Sequence, residues 1–263
     1  MTSRPLANSV VTAAMLVCCS PGIAAQCPAE SAARRVALLE LYTSEGCDSC
    51  PPADRWVSSL PGRGIGHDRV VVLAYHVDYW NYLGWVDPYA QSRFSSRQRS
   101  ASQRNKARVV YTPQLMLDGK DYRRSSLRDD FLDKVAGINQ YPARAKIGLR
   151  MHRDGGQDLM VAATISVADA RERSGAHFYL ALYENNLSSQ VSAGENRGKR
   201  LQHDFVVREL AGPWPFSPDG TLSVNHRFKL DPRWKSADLH MAAFVQNELT
   251  GDVLQALAAP YCR

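Results

Sequence analysis

Val36-Ala37-Leu38-Leu39-Glu40-Leu41-Tyr42-Thr43-Ser44-Glu45-Gly46-Cys47-Asp48-Ser49-Cys50-Pro51-Pro52-Ala53-Asp54 is the stretch on which the reading of this chain turns. Its first seven residues are almost continuously apolar, the pattern of a strand buried on both faces. Two cysteines three positions apart follow. Beyond them Trp56, Val57 and Leu60 share one side of a helix that Pro61-Gly62 stops. A Cys-x-x-Cys between a buried strand and a helix supplies what thiol–disulfide exchange needs, one thiolate that attacks a disulfide and a second thiol near enough to resolve the product. Cys47 is the expected attacking residue, exposed at the junction and acidified by backbone N–H groups, and Cys50 resolves. Glu45 and Asp48 oppose a thiolate. Pro51 and Pro52 lack N–H donors, so the helix is expected to begin at one of them, which weakens its dipole's pull on Cys47.

Upstream, residues 1–25 carry one Arg (Arg4), no acid, and an apolar run from Val10 to Cys19 broken only by Thr12. Such a run, about ten residues long, is too short to span a bilayer and suits a signal peptide cleaved near Ala24 or Ala25. The remaining chain is expected to be exported, periplasmic or extracellular, with no transmembrane segment. Removing the leader leaves Cys27, Cys47, Cys50 and Cys262. In an oxidising compartment an even count favours disulfides, and spacing favours Cys47–Cys50 with Cys27–Cys262 tying the two ends.

With 263 residues, 44% of them hydrophobic and 22% charged, the chain is neither disordered nor a polytopic membrane protein, and it is long enough for two domains. Downstream of the cysteines, Val70-Val71-Val72-Leu73-Ala74-Tyr75 reads as a second buried strand, and Pro88 to Arg108 as a polar helical segment. Pro113-Gln114-Leu115-Met116-Leu117 leads to Asp118-Gly119, a hairpin turn. Ser126 is placed to cap a last helix, with Asp129 in the capping box and Leu127, Phe131, Leu132 and Val135 as its apolar face. After Tyr141-Pro142 the pattern becomes strands only. Ile147, Leu149 and Met151 alternate, Asp154-Gly155-Gly156 turns, and runs follow at Leu159–Val167, Phe178–Tyr183, Phe205–Leu210, Leu222–Leu230, Leu239–Gln246 and Val253–Leu257. About seven short strands over such a length predict a sandwich.

Thr112-Pro113 opens a strand, a place where proline needs a local reason. The order strand, Cys-x-x-Cys, helix, strand, helix, Thr-Pro, hairpin, helix over 36–138 resembles the thioredoxin fold. That resemblance implies a cis Thr112-Pro113 bond beside Cys47, with Thr112 and Pro113 offering backbone hydrogen bonds to an extended substrate. Glu40 to Asp54, Tyr75-His76-Val77-Asp78-Tyr79-Trp80-Asn81-Tyr82-Leu83-Gly84-Trp85, Val110 to Gln114, Gly194 to Gly198 and Leu201 to Arg208 are similar to a bacterial secreted family known only as a domain of unknown function. The expected fold is thus an α/β thioredoxin-like domain at 26–140, a mixed sheet flanked by helices, followed by a mostly antiparallel β-sandwich domain at 141–263.

The function expected from these readings is that of an exported thiol–disulfide oxidoreductase with catalytic Cys47, Cys50, Thr112, Pro113 and His76, acting on protein thiols or disulfides with a redox partner of unknown identity. His76 ends the second strand with Asp78 on its face, where it would act on Cys47 as a base or proton relay. Two alternatives stand beside this. In one, a permanent Cys47–Cys50 bridge belongs to an envelope binding or assembly protein whose β domain supplies the interaction surface. In the other, Cys47, Cys50 and His76 carry copper. No resident cofactor is expected, and no nucleic-acid motif accompanies the net charge of +6. Tyr79, Trp80, Tyr82 and Trp85 are read as a cap over the sheet edge, with a peptide-groove floor as the alternative. Arg93, Arg97, Arg104 and Arg108 approximate one helical face, read as solvated. Glu195, Asn196, His203 and Asp204 are read as turn residues, with a metal or ligand site as the sharper alternative.

Overall fold

The computed structural model describes residues 27–123, 129–154 and 158–262. The leader expected over 1–25, the Ser126 cap with Leu127, and the Gly155-Gly156 turn lie outside them. In chain order the elements are β1 (Cys27–Glu30), β2 (Ala37–Thr43), α1 (Pro51–Ser59), β3 (Val70–His76), α2 (Ser92–Arg104), β4 (Gln114–Leu117), β5 (Lys120–Asp121), α3 (Phe131–Asn139), β6 (Lys146–Arg153), β7 (Asp158–Ser166), α4 (Ala170–Arg173), β8 (Ala176–Glu184), β9 (Leu187–Gln190), β10 (Arg200–His203), β11 (Val206–Pro215), β12 (Thr221–Lys229), β13 (Leu239–Asn247) and β14 (Val253–Pro260).

The runs read as strands are strands, and α1 begins at Pro51, where a missing N–H costs nothing. Asp118 and Gly119 both take positive φ in the turn between β4 and β5. A side chain at Gly119 would collide with the Gly251 carbonyl, so this hairpin lies directly on the β13–β14 connection.

The assembly of these strands corrects the expected architecture. The described residues are 42% strand and 18% helix, and they do not form a helix-flanked thioredoxin-like domain followed by a separate sandwich. One mixed sheet of eight strands, in the order β14-β13-β8-β11-β3-β2-β4-β5, runs through both halves of the chain. The join is β11, parallel to β3 at Val206 and Ala74 and antiparallel to β8 along most of its length. An apolar run identifies a strand but not its neighbour, so the open edge of β3 gave no sign that a strand from beyond residue 200 covers it.

The layers follow from which residues each strand turns to each side. Ala37, Leu39 and Leu41 with Val70, Val72 and Ala74 bury against Trp56 and Val57 of α1, Leu60 at its C-cap, and Phe131 and Val135 of α3. That helical cover reaches only the β2–β4 end of its face. Farther along the sheet, Phe178, Leu180 and Leu182 of β8 and Met241, Ala243 and Val245 of β13 pack on the antiparallel sheet β1-β6-β7-β12. On the opposite face α2 bridges the two ends, with Phe94 and Ala101 among Tyr75, Tyr179 and Phe244.

Arg97 is the polar centre of that layer. It is buried, paired with Glu40 of β2 at 2.8 Å and hydrogen-bonded to Gln246 of β13, and its guanidinium lies over the rings of Tyr75, Tyr179 and Phe244. The arginine face read as solvated therefore points inward at Arg97. Arg104 pairs with Glu248, Arg93 with Glu209, and Arg108 lies exposed beyond the helix. A disulfide joins Cys27 to Cys262, as spacing predicted.

Candidate functional site

The Cys47–Cys50 disulfide is formed, with its Cα atoms 5.4 Å apart, in the loop between β2 and α1. Cys47 is not exposed as expected: both cysteines are fully buried, while Asp48 and Ser49 between them face solvent. The loop is held tightly on the β3 side, where a side chain at Gly46 would strike Trp80 at 2.9 Å. The Thr112–Pro113 peptide bond is cis, and Trp80 donates its indole N–H to the Thr112 hydroxyl at 2.8 Å. Pro113 lines a cleft of about 670 Å³ together with Ser49, Pro52, Ala53, Trp56 and Tyr111. Val109, 64% exposed, forms its apolar lip. A larger cavity of about 1340 Å³ lies elsewhere, around Arg35, Asp118 and Arg144. Its charged groups are already paired, Arg35 with Asp118 and Arg144 with Glu172.

A clamp on the Cys47 loop comes from far along the chain. In the β9–β10 connection the buried Asn196 donates its amide to the carbonyls of Glu45 and Cys47, at 2.8 and 2.9 Å. Glu195 accepts from the Asp48 N–H at 3.1 Å. The turn that presents them has positive φ at Gly194 and Gly198. Glu195, Asn196 and His203, read from sequence mainly as turn residues, thus converge on the Cys47 loop. Asp204 instead accepts from the Asn186 N–H.

Beneath the loop lies a buried set of acids and imidazoles. His76 Nδ1 is 2.7 Å from Asp87, which also accepts the N–H groups of Glu45 and Tyr89. His203 Nε2 is 3.0 Å from Glu45, whose second oxygen accepts the Trp85 indole N–H. Asp54, four residues after Cys50 on α1, accepts the Thr43 hydroxyl and stands 3.5 Å from His203 Nδ1. The two imidazoles meet edge to face, ring centroids 4.9 Å apart, with Tyr89 against both.

Among the described residues no lysine or arginine pairs with Glu45, Asp54 or Asp87; their side-chain ion-pair partners are the two histidines. Burial alone would lower the pKa of His203, but Asp54 and Glu45 outweigh it and carry it up to about 10. Asp87 moves the other way: despite the upward push of burial, His76 and the two backbone N–H groups hold its carboxyl below the usual range.

Other sequence readings land differently. The contacts found for His76 are with Asp87, His203 and Tyr89, and none is with Cys47. Asp78 bonds Ser95 rather than His76. Trp80 and Trp85 anchor loops through their indole N–H groups, Tyr79 bonds Gln98, and Tyr82 is exposed. The roles of Asp54 and Asp87 were missed. Asp54 carries a signal in retrospect, an acid one helical turn after Cys50 on the side that packs against the sheet. Asp87 carries none.

Residues 38–246 match the family described as Protein of unknown function (DUF1223). The chain belongs to this family. In fold it is similar to a crystal structure of a protein from Agrobacterium tumefaciens, with TM-score 0.61 and 24% identity over 86% of this chain and 95% of that one. It is similar also to HBP35 of Porphyromonas gingivalis, with TM-score 0.65 and 16% identity over 88% and 76% of the two chains. At such identities these likenesses concern the fold alone. No curated protein matches the sequence.

Proposed function

We propose that this DUF1223 protein is an exported thiol–disulfide oxidoreductase, with Cys47 and Cys50 as the exchanging pair and protein thiols or disulfides as substrates. The observation that carries the reading is a Cys-x-x-Cys disulfide at the start of α1, bordered by the cleft between Ser49, Pro52 and Pro113. In the oxidised form a substrate thiolate attacks the Cys47 sulfur and Cys50 leaves as a thiolate that takes up a proton. A second substrate thiol then attacks the mixed disulfide, and Cys47 leaves in turn. The cysteine pair gains the two electrons and two protons that the substrate dithiol loses, and the reverse sequence reduces a substrate disulfide. Because both sulfurs are buried, exchange requires the Cys47 loop to open, and Glu195 and Asn196 are contacts that such an opening releases. An exported location is supported by the leader-like residues 1–25 and by the two disulfides.

Complete burial of both cysteines favours a second reading, a binding or envelope-assembly protein in which the bridge is permanent. Substitution separates the two. Under the first, the Cys47 thiolate of Cys50→Ser attacks a disulfide-containing peptide, one peptide sulfur leaves as a thiol and the mixed disulfide through Cys47 accumulates, while Cys47→Ser abolishes exchange. Under the second, neither variant traps a partner and both only lose stability.

A further inference from the structure

The buried pocket behind the Cys47 loop has a donor set that its own hydrogen bonds do not satisfy. His76 Nε2 is buried and makes no hydrogen bond, and His203 Nδ1, also buried, has only the long 3.5 Å contact to Asp54. One ligand atom from each of Asp54, His76 and His203 can be chosen so that all three lie within 4.8 Å of one another. Buried polar atoms left this poorly satisfied are rare, and two in one cluster call for a shared explanation.

The opposite edges of the rings supply it. Each histidine has its other nitrogen engaged by a buried carboxylate, His76 Nδ1 by Asp87 at 2.7 Å and His203 Nε2 by Glu45 at 3.0 Å. This carboxylate–histidine pairing is what orients an imidazole for a metal and raises its basicity. Asp54 is oriented too, with one oxygen on the Thr43 hydroxyl at 2.9 Å and the other toward His203 Nδ1. Ligand atoms on a tetrahedral ion bound at about 2.0–2.1 Å stand roughly 3.3 Å apart. The Asp54–His203 separation of 3.5 Å already fits, and small side-chain shifts bring in His76. Three buried carboxylates with no lysine or arginine paired to them, among the described residues, complement a dication.

We propose that Asp54, His76 and His203 form a binding site for one divalent transition-metal ion, with Zn2+ the best match to two imidazoles and a carboxylate. A water completes the fourth position. The ion fastens α1, β3 and β10 to one another, and with them the segment bonded to the Cys47 loop. The site uses no thiolate and stands whether or not Cys47 and Cys50 exchange.

The test unfolds the protein with both disulfides intact and refolds it with excess Zn2+ or with a chelator. After desalting, bound metal is counted by elemental mass spectrometry. The expected result is about one Zn2+ per chain, falling at least about tenfold in Asp54→Asn and His76→Gln. Cobalt substitution of the wild-type chain is the second measurement, needed if those variants fail to fold. It should give tetrahedral d–d bands with no thiolate-to-cobalt charge-transfer band. Folded wild-type protein that retains no stoichiometric metal overturns the proposal and leaves a proton on His203 as the pocket's counter-charge. A thiolate band, or metal retained equally by the folded variants, overturns it as well.

Discussion

Replacing Asn196 by alanine tests whether the β9–β10 connection controls access to the disulfide. The fully buried side chain gives one N–H to the Glu45 carbonyl and another to the Cys47 carbonyl. Each bond is worth about 1 kcal/mol net, and the loss is greater where a buried acceptor is stranded. The Cys47 carbonyl keeps the Cys50 N–H at 3.3 Å, whereas the Glu45 carbonyl loses the Asn196 donor. The clamp is therefore weakened by about 2–3 kcal/mol. If reduction proceeds through local opening of residues 191–199, that energy appears in the opening equilibrium. At about 1.4 kcal/mol per decade, reduction should accelerate roughly 30- to 150-fold. The assay follows reduction of Cys47–Cys50 by dithiothreitol under native conditions, with timed alkylation and peptide mass spectrometry. Circular dichroism verifies that the variant is folded. A folded variant reduced at the wild-type rate would refute the idea that this segment is the clamp.

Three further outcomes follow from the packing. Arg97→Met strands the buried Glu40 carboxylate and should cost about 3–5 kcal/mol in urea denaturation, while Glu40→Gln combined with Arg97→Met should recover part of the loss. Replacing Cys27 and Cys262 together by serine opens a cross-link 235 residues long in sequence and should lower stability by up to about 5 kcal/mol in the chain-entropy account, with the β-sheet signal in circular dichroism retained. Asp118 is pushed up to about 6, because burial outweighs the opposing pull of Arg35, the Leu38 N–H and Arg144 while Asp252 adds to the rise. The folded state thus holds this proton more tightly than the unfolded chain does. Its stabilisation is full below about pH 4 and is lost as the pH rises through about 6, so the fall in urea midpoint over that window should be smaller in Asp118→Asn.

The local elements were legible because their causes are local. Continuous apolar runs gave β2 and β3, Pro51 gave the start of α1, and Asp118-Gly119 gave the hairpin turn. The pairing of the four cysteines followed from their spacing. What failed was partnership at a distance. Joining β11 to β3 turns the expected two bodies into one sheet, and that contact spans more than a hundred residues with no marker in either strand. The arginines of α2 show the same limit: helical spacing put Arg93, Arg97 and Arg104 on one face, but nothing in their spacing told that Arg97 is buried over Tyr75, Tyr179 and Phe244. At the site, Cys47, Cys50 and Pro113 stood out by motif. Asn196 and His203 reach the Cys47 loop from some 150 residues away, where a turn signal masked their role. His76 was singled out for its position at a strand end, yet its partner is Asp87 rather than the nearer Asp78.

The central claim is that Cys47–Cys50 cycles between its two redox states, and its most direct test is the reduction midpoint of that pair. The protein is equilibrated across glutathione buffers, free thiols are trapped, and the Cys47 and Cys50 peptides are quantified by mass spectrometry. The account predicts a midpoint between about −120 and −270 mV, the range of proteins that exchange disulfides. A midpoint below about −300 mV would contradict it and mark the bridge as permanent.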